Sequence, residues 1–209
     1  MTTSQPTDPA GPTGQLSLWL SPLTLSDIPE SIKTRAKYLP LDGVGCALVG
    51  AHLPWSEKAA KNHPSSSSSQ SGARVTGADF LLGYLAGLEV GPRVGNVLHG
   101  DHILTMGWHS GAVFGGSASA TTVSKMFSLN AGAIEDALGI ACTQACGLMS
   151  AQFESEVKRM QHGFAARNGF LAAFLAKGGY IGIKRVYERA YGGFLDMSSK
   201  GMEKEPSFL

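Results

Sequence analysis

Glu135 to Gly169 reads EDALGIACTQACGLMSAQFESEVKRMQHGFAARNG, and this stretch decides both the fold and the chemistry. Asn130 is a good N-cap. The apolar residues behind it, Ile134, Ala137, Leu138, Ala141, Cys142, Ala145, Leu148 and Met149, recur at helical spacing, which predicts one helix running to Met149. After Gly147 the pattern gives way to a polar segment ending in Lys158, Arg159 and His162, and a second, Ala-rich helix is expected over about 164–176. Two cations and an imidazole set between two buried helices suit the binding and protonation of a small polyanion.

Outward from this stretch the signals are also helical. The segment after His109, GAVFGGSASATTVSKMF, is rich in Gly, Ala and Ser, residues that let helices approach closely but form weak helices alone, so it is expected to be central in a bundle. An anion beside His109 would also meet the unpaired N–H groups at that helix start. Thr76 with Asp79 predicts a capping box, opening a helix with Phe80, Leu81, Tyr84, Leu85 and Leu88 on one side, disturbed near Gly91, Pro92 and Gly95. A helix is expected after Pro29, carrying Ile32, Ala36 and Leu39 inward and broken at Pro40. Another is expected over about 181–190, after the break at Gly178 and Gly179.

Composition divides the chain into a leader over 1–14, N-terminal helices over 15–58, a Ser-rich linker over 59–72, a helical core over 73–196 and a polar tail over 197–209. The leader, made of Thr, Ser, Pro and Gly with little to bury, reads as disordered. Seventeen Lys and Arg against sixteen Asp and Glu leave a net charge of +1, which gives no general footprint for nucleic acid. No apolar run reaches the about 20 residues of a membrane span. The three cysteines and the late first arginine, Arg35, suggest a reducing, cytoplasmic setting. Cys142 and Cys146, one turn apart on the predicted helix, and Cys46 read as small buried side chains. His99 and His102 around Asp101 lack further ligands, so no metal is expected there.

Three runs are more specific than any of this: GWHSGAVFG at 107–115, DALGIACTQACGLMSAQ at 136–152 and VKRMQHGFAARNG at 157–169. Together with TRAKYLPLDGVGCALVGAHLPWSEK at 34–58 and KRVYERAYGGFLDMSSKG at 184–201, they resemble the MmgE/PrpD family, in particular its fungal cis-aconitate decarboxylases beside the 2-methylcitrate dehydratases. The resemblance implies an all-α fold, the helical domain of that family without its C-terminal α/β domain. It implies a carbon–carbon lyase that uses no metal or organic cofactor and acts on a small tricarboxylate such as cis-aconitate, or on an alkylated analogue in specialised metabolism. Dehydration of an alkylcitrate is the neighbouring alternative, and an inactive remnant or helical partner subunit is another. A homodimer is implied as well.

By the same resemblance Lys158 is an active-site lysine that binds carboxylate and stabilises charge. His109 is likewise an active-site histidine for hydrogen bonding or proton transfer; His162 is placed in substrate binding by its closeness to Lys158 in sequence, not by a family match. Relatives carry a longer segment where this chain has AAKNHPSSSSSQSG, holding an active-site Asp and His without a counterpart here; His63 is only a faint echo of it.

Overall fold

The computed structural model describes residues 3–50, 52–54 and 75–201, and among these the chain is helical, with no strand beyond one isolated bridge. The Ser-rich stretch 59–72, with His63, and the end of the tail lie outside the described residues. In chain order the helices are α1 Pro12–Leu20, α2 Glu30–Gly50, α3 Gly77–Val97, α4 Gly100–Thr105, α5 Ser110–Met126, α6 Ala131–Cys142, α7 Ala151–Glu154, α8 Gln161–Lys177 and α9 Phe194–Ser198. Short 3-10 turns cover Leu25–Asp27 and Val157–Met160.

α5 is the central helix, packed between α3 and α8, with α6 against both α5 and α8 and α1 across α6. Small residues make this possible. A Cβ on Gly169 of α8 would stand 2.5 Å from the Ser119 Cβ and 2.6 Å from the Gly116 carbonyl, so α5 and α8 nearly touch backbone to backbone. Ser119 Oγ closes the crossing by donating to the Ala166 carbonyl at 2.8 Å. On the other side of α5, the inward face of α3 is Gly83, Ala86, Gly87, Val90, Gly91 and Val94. The larger residues expected to face inward from α3 do not all do so: Phe80 and Leu88 are exposed. Close approach of the two backbones, rather than side-chain size, selects the buried stripe.

Capping residues behave as their chemistry dictates. Asn130 accepts from the Ala133 N–H at 3.0 Å, and Thr76 and Asp79 form the reciprocal capping box. Lys125, buried, donates to the Leu20 and Ser21 carbonyls at 2.7 and 3.0 Å and so ends α1 with a cation, where the helix dipole favours one. Desolvation holds its ammonium below the usual lysine range.

Four expectations need correction. First, α2 continues through Pro40 and α3 through Pro92. Each proline withdraws one backbone donor without ending its helix. On the outer side of the bundle, α2 buries Ala36 but leaves Ile32 and Leu39 exposed. Second, α6 ends at Cys142, seven residues short of Met149, and the chain turns away through Thr143 to Gly147. Cys146 is therefore exposed, as is Cys46. Cys142 alone of the three is enclosed, and burial pushes its thiol up to about 12.

Third, residues 181–190 form turns, not a helix. Their N–H groups are taken by side chains: Gly182 donates to Asp136 Oδ1 at 3.0 Å, Arg185 to Glu135 Oε1 at 3.1 Å and Tyr187 to Thr13 Oγ1 at 3.1 Å. Fourth, residues 3–14 are not a disordered leader. Thr7 donates its N–H and hydroxyl to Glu135 Oε2 at 2.9 and 3.0 Å, and Thr13 donates its N–H to Glu188 Oε2 at 3.1 Å. Glu135 and Asp136, both fully buried on α6, thus gather the N-terminal segment and the 182–188 turns. Lys184 supplies the countercharge, 3.5 Å from Glu135 and in direct contact with Asp136.

Candidate functional site

The site is built where the start of α5 meets the start of α8. His109 is the N-cap of α5, with extended backbone, and its carbonyl accepts from Ala112 and Val113 N–H at 2.9 and 3.1 Å. Those bonds leave the first N–H groups of the helix, on Ser110 and Gly111, without an intrahelical acceptor. The residues just before it are held by a short two-stranded strap. Trp108 bridges antiparallel to Leu148, His109 N–H donates to the Gly147 carbonyl at 3.0 Å, and Met149 N–H donates to the Gly107 carbonyl at 2.8 Å. Gly147 sits at φ +148°, and a Cβ there would lie 2.5 Å from the Ala112 Cβ, so the strap can only close over glycine.

The second half comes from the 3-10 turn Val157–Met160 and the first turn of α8. Lys158 is half-buried and His162 exposed, while His109 is only 8% exposed. The His109 and His162 rings meet edge to face, centroids 5.0 Å apart and planes at 76°. Gly111 leaves the space for this, since a Cβ on it would clash with the His162 Cε1. The structure therefore brings His109 and His162 into contact and Lys158 near enough for its charge to act on His109, although 49 positions separate His109 from Lys158.

Electrostatics ties them into one unit. Desolvation, the His162 ring and then the Lys158 charge hold the His109 imidazole below its ordinary value of 6.5. Its Nδ1 is buried and has no hydrogen-bond partner among the described residues. At neutral pH His109 is therefore a neutral base in a field that favours anions; a bound carboxylate would offset the neighbouring positive charge and make its protonated form accessible.

Two concavities lie away from this site. A groove of about 560 Å³ between α1 and α3 is lined by Leu16, Trp19, Val94, Val97, Tyr187 and Leu195, with Glu89 and Arg93 at its edge. Those two charges pair with each other, Arg93 Nε donating to Glu89 at 2.6 Å, so the groove presents little net charge to an anion. A smaller cavity of about 130 Å³ lies beside Cys142 and Phe194. Among the described residues no group of three or more His, Cys, Asp and Glu is placed to hold a metal ion, and no helix is long and apolar enough to cross a membrane.

The model of the MmgE/PrpD N-terminal domain matches residues 14–79 and 66–207. This chain belongs to the MmgE/PrpD family. Among curated MmgE/PrpD-like relatives, a cis-aconitate decarboxylase-like protein, oryM, of Aspergillus oryzae is 39% identical over 267 residues, covering 100% of this chain and 55% of its own length. The cis-aconitate decarboxylase of Aspergillus terreus is 41% identical over 256 residues, covering 95% of this chain and 52% of its own. That of Homo sapiens is 32% identical over 123 residues, 58% of this chain and 25% of its own. The chain thus spans about half the length of the fungal relatives. The oryM match extends over 267 positions against a chain of 209 residues, so that relative carries residues this chain does not. The family match falls in two pieces that overlap over 66–79, a region that includes the end of the serine-rich stretch.

Two further members of the site were not singled out from sequence. Gly147 showed only as the end of a helical pattern, and Gln161, one position before His162, looked like one polar residue in a polar run. Gln161 is 5% exposed and donates its Nε2–H to the Leu148 carbonyl at 3.2 Å.

Proposed function

We propose that this chain carries the helical half of a cis-aconitate decarboxylase-type site, a carbon–carbon lyase acting on cis-aconitate or an alkyl-substituted analogue in specialised metabolism. The observation that carries the reading is the edge-to-face contact of His109 with His162 beside Lys158 at the start of α5. In such a reaction the bond to the departing carboxylate breaks, CO2 leaves, and the electron pair remains on carbon until a proton is delivered there. Cis-aconitate becomes itaconate. Lys158 binds a remaining carboxylate and stabilises the developing negative charge, helped by the N-terminus of α5. His109 hydrogen-bonds the substrate and takes part in proton transfer, and His162 shapes the pocket from its open side. No metal or organic cofactor is needed for these roles. Dehydration of an alkylcitrate would use the same anion-binding groups and differ in where the proton is moved.

A second reading is favoured by a specific observation. His162 is exposed and Lys158 half-buried at the mouth of the site, the family match falls in two pieces around 66–79, and the chain covers about half the length of its fungal relatives. Groups that act as a unit lose activity together. In that reading the chain is a partner subunit or an inactive remnant. The α2 face, where Tyr38, Leu41, Val44, Leu48 and Val49 are exposed, supports pairing with a second copy of the chain to form a homodimer. Calorimetric titration with tricarballylate, an unreactive tricarboxylate, tests the site itself. The lyase reading expects saturable binding that Lys158→Ala weakens; absence of binding in the unaltered protein leaves the partner-subunit reading.

A further inference from the structure

The two halves of the site come from distant parts of the chain, and one buried side chain joins them. Gln161 opens α8, one residue before His162 and three after Lys158. Its Nε2–H reaches across to the Leu148 carbonyl at 3.2 Å. Its Oε1 occupies the space that Gly147 leaves empty, since a Cβ at Gly147 would lie 2.6 Å from that oxygen and 3.3 Å from the His109 Cβ. The Gly147 carbonyl in turn accepts the His109 N–H at 3.0 Å. A continuous chain of contacts therefore runs from the first turn of α8 through the 147–149 strap to the backbone of His109. An amide that is nine-tenths buried needs such partners, because a lost bond would leave polar atoms without water.

We infer that Gln161 is a positioning residue that holds His109 against His162 through the Gly147–Met149 strap and so sets the spacing of the polyanion site. The inference rests on reading His109, Lys158 and His162 as that site. Gln161 touches no substrate in this arrangement; its effect passes through the strap. Loss of the amide donor frees the Leu148 carbonyl, lets the strap move outward and opens the enclosed face of the His109 ring to water, while the helices on either side keep their packing.

The test uses the full chain with isotope-labelled histidine, comparing it with Gln161→Met, which keeps side-chain length but has no donor, and Gln161→Glu, which keeps shape and loses the N–H. Three readouts are taken: the ring-to-ring nuclear Overhauser effect between His109 and His162, the titration of the His109 ring, and tricarballylate affinity. Both variants are expected to keep the helical circular dichroism and to lose the ring contact. The His109 ring of Gln161→Met should titrate closer to 6.5, the ordinary value from which it is lowered in the unaltered protein. One lost hydrogen bond predicts affinity weaker by about tenfold. Retention of the ring contact, of the His109 titration and of affinity within about twofold in a folded Gln161→Met protein would overturn the inference. Should Gln161→Met fail to fold, Gln161→Glu decides by the same ring contact. If the unaltered protein binds no tricarballylate, the polyanion reading fails by itself, and the ring contact and titration still decide the role of Gln161.

Discussion

Lys184→Met offers the sharpest test of how the fold is held together. Lys184 is the countercharge to two carboxylates, Glu135 and Asp136, whose side chains are both fully buried. Removing it leaves the donors unequally shared. Among the described residues Glu135 keeps Thr7 N–H, Thr7 hydroxyl and Arg185 N–H, whereas Asp136 keeps only Gly182 N–H, and its Oδ2 already has no partner there. Breaking a buried pair from one side costs about 3–5 kcal/mol. Lys184 is itself a quarter exposed, so water can partly replace it and the lower end, about 3 kcal/mol, is expected. With a urea m-value of about 2 kcal/mol/M, the midpoint should fall by roughly 1.5 M. Asp136→Asn in the same background removes the stranded charge and keeps an acceptor for Gly182, so it should restore about 1–2 kcal/mol through the coupling of adjacent sites. Urea unfolding followed by circular dichroism reads both. A loss below about 1 kcal/mol for Lys184→Met, or no recovery in the double variant, would refute the view that this cluster staples the N-terminal segment and the 182–188 turns to α6.

Other outcomes follow from single residues. The folded protein holds His109 below 6.5, so on acidification the unfolded chain binds that proton first and stability falls from pH 6.5 downward until the folded-state value is passed; His109→Gln should show a flatter thermal midpoint between pH 7 and 5. Burial raises the Cys142 thiol to about 12, so iodoacetamide at pH 8 should label Cys46 and Cys146 well before Cys142, read by peptide mass spectrometry. Gly169→Val should destabilise by roughly 2–4 kcal/mol, because its side chain would collide with backbone atoms of α5, whereas Gly163→Ala, which meets nothing, should be neutral or slightly stabilising in thermal melts. Leu41→Glu with Leu48→Glu should convert any dimer seen by light scattering to monomer, since both side chains lie on the exposed face of α2.

Much of the site could be read from the sequence, and its members sit at helix starts. His109 precedes a small-residue helix, Lys158 precedes an Ala-rich one and His162 lies in its first turn, but it is the family resemblance of the runs at 107–115 and 157–169, not helical period, that singles out His109 and Lys158. The strap was not legible. It depends on Gly147 at positive φ and on one amide bond from Gln161, and neither leaves a periodic trace. The helix predicted to Met149 failed for that reason, since apolar spacing continued past the point where tertiary contacts took over the backbone.

The 181–190 segment failed in the same way from the opposite side. Its composition suits a helix, but Glu135, Asp136 and Thr13, all distant in sequence, supply better partners for its N–H groups. Residues 3–14 looked too polar to pack. Their attachment rests on hydrogen bonds from Thr7 to Glu135 and from Thr13 to Glu188, and composition does not register such bonds. The inward face of α3 was mistaken for similar cause, because glycine gives no hydrophobic signal even where it sets the helix spacing.

The central proposal is that His109, Lys158 and His162 form a working anion-binding and proton-transfer site. A proton NMR time course of purified protein with cis-aconitate, run beside Lys158→Ala, tests it most directly. Itaconate formed by the unaltered chain and lost in the variant, with helical content equal in both, is the result predicted. Equal turnover in the two proteins would contradict the role given to Lys158, and unchanged cis-aconitate in both would contradict the lyase reading for that substrate.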